Sequence, residues 1–137
     1  MRGRAPRGLA VEIINPSDLH PAPGFSHIVI AQGTRLTFFA GQTALDPEFN
    51  LVGGDSLFEQ TIASMRNLEI AIREAGVTWD QIVRRTIYTT QPHEYETIAR
   101  AIAEVTGQTE HPAQTILGVT GLAIPGLLVE VECTAVS

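Results

Sequence analysis

The sequence has almost nothing with which to cross-link itself. Cys133 is the only cysteine, so an intrachain disulfide and a cysteine-clustered metal site are both excluded. No apolar run approaches the roughly 18 residues that span a bilayer. The opening MRGRAPRGLA carries Arg2, Arg4 and Arg7 but no apolar h-region, so no signal peptide is expected. Residues 1–14 are expected to form an N-terminal tail. These features point to the cytoplasm, with no membrane partner. Positive charge is also scarce: 9 Lys and Arg against 15 Asp and Glu leave a net charge of −6. Beyond the tail only Arg84 and Arg85 are adjacent, and no basic face is available for phosphates, so no nucleic-acid partner is expected. The four histidines, His20, His27, His93 and His111, show no H-x-x-H spacing, so no metal is expected. The nucleophile elbow G-x-S-x-G, the phosphate loop and G-x-G-x-x-G are all missing.

What is present fits one domain, placed at 15–137. The 137 residues are 44% hydrophobic, enough for a single sizeable core. Prolines 16, 21 and 23 with Gly24 mark an irregular segment. The stretches FSHIVIA (25–31) and TRLTFFAG (34–41) read as strands joined at Gly33, a hairpin. From Asp55 to Ala75 the apolar residues Phe58, Ile62, Met65, Leu68 and Ile72 recur at steps of three and four, predicting a helix. Ser56-x-x-Glu59 resembles a capping box at its start, and Gly76 suits its end. VRRTIYTT (83–90) reads as a strand. A second helix starts near Pro92, presents Tyr95, Ile98, Ile102 and Val105, and stops at Gly107. QTILGV (114–119) and residues 127–136 read as the last two strands. The order is ββαβαββ, an α+β chain whose two helices cover one face of a mixed sheet. FFA and TIL place apolar side chains on both faces of their strands, so the uncovered face predicts a homo-oligomer.

Few residues announce chemistry by themselves. Glu130 and Glu132 share one face of the final strand; as a pair they fit a general base or a water-orienting group, but spacing alone favours a pair of solvated surface acids. Cys133 alternates with valines and reads as an inert buried thiol. Phe38, Phe39 and Phe58 read as core positions.

Larger patterns are more specific. Gly24-Phe25-Ser26-His27, then Phe39-Ala40-Gly41-Gln42 with Asp46-Pro47 after it, resemble the opening of the Rid (YjgF) family. Gln60 through Asn67-Leu68 to Ala75-Gly76 resembles its first helix. Pro112-Ala113 followed by Val129-Glu130-Val131-Glu132 resembles its closing signature. The resemblance implies a chorismate-mutase-like fold, a homotrimer, and three clefts each lined by two subunits. Active members hydrolyse enamines and imines to keto acid and ammonia without a cofactor.

Carried over by position, the resemblance makes Glu130 the catalytic carboxylate and gives Phe25, Ala40, Gly41, Ala99, Gln114 and Ile116 as substrate-binding positions. It places Phe25, Ala40 and Ala99 of one subunit beside Gln114, Ile116 and Glu130 of its neighbour. Gln114 stands where the family's substrate-gripping arginine belongs. Phe25, Ala40, Ala99 and Ile116 replace its tyrosine, serine, asparagine and cysteine. A glutamine can hydrogen-bond a ligand but neutralises nothing. The expectation is therefore a cleft for a small, apolar or neutral molecule, anchored by Glu130 with Gln114 opposite. Any enzyme activity would be that of a hydrolase on a small imine, enamine or related C–N compound. One alternative is a 2-iminobutanoate/2-iminopropanoate-type deaminase that recovers the missing charge from Arg66, Arg84 or Arg85. Another is the ribonuclease or translation-inhibitor role attached to the family, which the acidic balance disfavours.

Overall fold

The computed structural model describes residues 10–137. Helix α1 (Leu57–Glu74) opens on Ser56, whose Oγ accepts from the Glu59 N–H at 3.1 Å. It closes as the sequence predicts. Gly76, at φ 73, allows the left-handed turn in which its N–H donates to the Arg73 carbonyl and the Val77 N–H to that of Ile72. Helix α2 (Tyr95–Thr106) follows a short 3-10 turn at Pro92–Glu94 and ends on Gly107 at φ 65. The buried stripe of α1 is rotated from the predicted one. Met65, Leu68 and Ile72 are buried, but polar Gln60, Thr61 and Ser64 join them while Phe58 and Ile62 are only half-buried. Thr61 is tolerated there because its hydroxyl donates to the Leu57 carbonyl at 2.8 Å.

The strands are β1 (Ala10–Ile14), β2 (Ile28–Gln32), β3 (Leu36–Gln42), β4 (Ile82–Thr89), β5 (Ala113–Gly118) and β6 (Val129–Val136). Four form a mixed sheet in the order β3-β6-β4-β5, with only β4 and β5 parallel. Two expectations are corrected. Ala10–Ile14, taken as tail, is a strand antiparallel to β2; residues 1–9 of that tail lie outside the described residues. Consequently β2 and β3 are not a hairpin: β2 takes β1 as partner, and β3 takes β6. The β1–β2 ribbon attaches beyond β5, where Ser26 bridges Ala113 and its N–H donates to the Pro112 carbonyl at 3.0 Å.

Both helices pack on one face of the four-stranded sheet. Val129, Val131, Cys133 and Ala135 of β6 point into that core with Met65, Leu68 and Ile98. The other face is open. Leu36 and Phe38 of β3 are 65% and 74% exposed there, so Phe38 is not the core residue its neighbour Phe39 is. Among the described residues no helix is long and apolar enough to cross a membrane, and no cluster of three His, Cys, Asp or Glu could hold a metal.

Candidate functional site

The seven positions carried over from the resemblance fall into two groups on opposite faces of the sheet. Gln114 and Ile116 pair with Arg85 and Ile87 of β4, residues that face the helices. With Phe25 and Ala99 they line one cavity of about 180 Å³ between β4, β5, α2 and the loop at Pro23–Phe25. Gly24, at φ 80, brings that loop onto α2: a Cβ at Gly24 would stand 3.5 Å from that of Ala99. Ala40, Gly41 and Glu130 lie elsewhere. Strand β3 bulges between Phe39 and Gln42, which turns Gly41 towards Glu130 on the open face. A Cβ on Gly41 would collide with the Glu130 carboxylate, so glycine is what lets that carboxylate lie there. The division between subunits expected from the resemblance is thus redrawn: Gln114 and Ile116 share a cavity with Phe25 and Ala99 of their own chain.

Beside Gln114 sits Arg85, one of the three arginines offered as substitutes for the missing charge. Arg85 is 4% exposed. Its Nε donates to Gln114 Oε1 at 2.6 Å and its Nη2 to the Gly24 carbonyl at 3.0 Å. Among the described residues no carboxylate pairs with it. Burial lowers its pKa from 12.5 to about 10, so it remains a cation at neutral pH. The other two arginines offered as substitutes are not in the cavity. Arg66 pairs with Glu69 on the surface of α1 at 3.3 Å, and Arg84 donates to Thr115 on the open face at 2.7 Å. The signal for Arg85 was its parity with Ile87 and Thr89 along β4. An irregularity in the β4–β6 register between Ile82 and Arg84 masked it.

The surroundings keep the cavity free of negative charge. His111 lines it, and both burial and the Arg85 charge lower its pKa, favouring the neutral ring. Its Nδ1 is buried without a hydrogen-bond partner among the described residues. Cys133, paired across the sheet with Arg85, is pushed up to about 12 by burial, so it stays a thiol as the sequence implied. At the cavity's outer edge Phe25 stacks edge-on against His27, centroids 5.3 Å apart, while His27 Nε2 lies 2.8 Å from the His20 carbonyl. On the open face Tyr88 donates to Glu132, not Glu130, at 3.0 Å; that bond is the main reason its pKa is raised.

Two helices on one face of this mixed sheet, with a cavity at the β5 edge, define an α+β protein of the YjgF-like fold. The chain belongs to the RidA/YjgF family: the family model described as Endoribonuclease L-PSP matches residues 16–137. It is 29% identical over 119 residues to the RutC family protein slr0709 of Synechocystis, covering 85% of this chain and 89% of that one. A Yersinia pestis protein described as YyfB, of unknown function in the conserved Rid family, superposes with TM-score 0.86 at 34% identity. The match covers 93% of this chain and 98% of that one. Rv2704 of Mycobacterium tuberculosis, described as a member of the YjgF/YER057c/UK114 family, gives 0.64 at 31% identity, covering 93% and 100%.

Proposed function

We propose that this chain forms a cytoplasmic homotrimer whose clefts bind a small organic molecule, and that it is not a standard imine deaminase. The observation that carries the reading is the convergence of Phe25, Ala99, Gln114 and Ile116 on one cavity. Its volume is below the roughly 300–1,000 Å³ typical of drug-sized ligands, which favours a molecule of few heavy atoms. A second copy laid on the open face would cover Leu36 and Phe38.

Hydrolysis of an imino acid requires the substrate carboxylate to be held so that the imine carbon meets a placed water. A direct arginine at position 114 would hold it bidentately; Gln114 cannot. Phe25, Ala40 and Ala99 supply no polar group to orient the rest. No lysine occurs in the sequence, so side-chain Schiff-base chemistry has no residue to use. The deaminase remains the second reading, favoured by one observation: a cationic Arg85 does line the cavity. Displacing the charge by one strand retains attraction but moves the reacting atoms, and about 1 Å of misplacement can cost roughly 10²-fold.

Ammonia release from a freshly generated 2-imino acid should therefore stay near the buffer rate and far below that of an active relative. Strong acceleration by the wild type, abolished in Glu130→Ala, would falsify this reading and establish the deaminase. The family description also names an endoribonuclease. With a net charge of −6 and Glu130 and Glu132 on the open face, RNA binding should be undetectable, at low salt as well as high.

A further inference from the structure

We infer that Arg85, acting through Gln114, makes the cavity a receptor for a small aliphatic carboxylate rather than for a neutral molecule. The inference rests on the small-molecule reading above and adds the chemistry of the ligand's head and body.

Arginine has only donors, so the Gln114 oxygen must be the atom that faces Arg85. That fixes the orientation of the amide: its NH₂ points away from Arg85 and offers two donors. The cation on the oxygen polarises the amide and strengthens those donors. Arg85 itself spends Nε on Gln114 and Nη2 on the Gly24 carbonyl, leaving Nη1 without a hydrogen-bond partner among the described residues. The polar end of the cavity is therefore a set of N–H groups backed by a buried positive charge. No carboxylate lines the cavity to neutralise it. A buried ion without a counter-ion costs several kcal/mol, and an anionic ligand would remove that cost.

Most of the remaining wall is apolar, with Tyr95, Gln108 and the neutral His111 as its other side chains that carry polar atoms. Phe25, Ile87, Ile98, Ala99, Ile102 and Ile116 surround the space beyond the donors. They fit an aliphatic body. The ligand class is a monocarboxylate with a short hydrocarbon chain, anchored at Gln114 and Arg85.

Butanoate and its neutral amide, butanamide, make the test. They match in size and differ in charge, and calorimetric titration of the full-length protein gives both affinities. A charged hydrogen bond is about 1 kcal/mol stronger than a neutral one, so butanoate should bind about fivefold more tightly or better. Gln114→Glu places a carboxylate against Arg85. That variant should melt higher than the wild type and lose the preference for butanoate. Arg85→Met, which fills similar space without charge, should lose it too. Binding of neither probe would sink the small-molecule reading along with this inference. Equal binding of both would leave that reading intact and overturn this one. A preference that survives both substitutions would place the anion elsewhere and also overturn it.

Discussion

Replacing Gln60 with alanine should cost about 3–5 kcal/mol of stability, the largest loss expected from one polar side chain in this fold. Gln60 is wholly buried in α1. Its Nε2 donates to the Gly54 carbonyl at 2.8 Å and to the Gly126 carbonyl at 2.9 Å, and its Oε1 accepts from the Leu128 N–H at 2.9 Å. Truncation strands three buried backbone groups, each carrying a penalty of ~1–3 kcal/mol, partly relieved if water enters the space. A domain of this size is stable by only about 5–15 kcal/mol, so thermal unfolding followed by circular dichroism should shift down by roughly 10 °C or more. Gln60→Glu should be nearly as damaging. It keeps the shape but turns an acceptor towards the Gly54 and Gly126 carbonyls. A loss below about 1 kcal/mol in either variant would show that this hydrogen-bonded tie is dispensable. The tie also has a functional side. Leu128 leads directly into β6, so Gln60 fixes where that strand starts and hence where Glu130 stands on the open face.

Gln60 also shows what the sequence could and could not reveal. The strongly periodic parts were legible: Met65, Leu68 and Ile72 on α1, Ile98, Ile102 and Val105 on α2, and the alternation of Val129, Val131, Cys133 and Ala135 on β6. There, one face meets apolar partners and nothing else competes. Apolar patterning is blind to a buried glutamine, because what makes Gln60 tolerable is backbone from Gly54 and from Gly126–Leu128, up to 68 residues away. The missing first strand failed for a related reason. Ala10–Ile14 is short, and its partner β2 appeared already committed to a hairpin through Gly33. That glycine instead lies against the C-terminal end of the chain. A Cβ there would come within 2.6 Å of the Ser137 carbonyl oxygen. The resemblance supplied Phe25, Ala99, Gln114 and Ile116, and the structure brings these four to one cavity. It left Arg85 as one of three possible substitutes, because a side chain whose only hydrogen-bond partners among the described residues are Gln114 and the Gly24 carbonyl acquires its setting from the fold alone. Strand parity was the one signal available, and the irregular register at Ile82–Arg84 obscured it.

Phe38→Asp should convert the proposed trimer to monomers while leaving the protomer folded. Phe38 lies opposite Thr134 on the face of the sheet that no helix covers, two residues from Leu36, itself opposite Val136. At 74% and 65% exposure, the two side chains give up little water when the single chain folds. An aspartate at 38 should therefore change protomer stability by under about 1 kcal/mol, as ordinary surface substitutions do. The balance reverses if a second copy seals that face. Burying an unpaired carboxylate there, in place of a phenyl ring, costs several kcal/mol per interface. Each 1.4 kcal/mol is tenfold in the dissociation constant, so the loss should exceed about a hundredfold. Sedimentation velocity at micromolar concentration should show a wild-type trimer and a Phe38→Asp monomer with unchanged far-ultraviolet circular dichroism. A wild type that sediments as a stable monomer would remove the trimer from the proposal. A variant that stays trimeric would move the interface off this face. The two groups of family-derived residues would then need separate explanations.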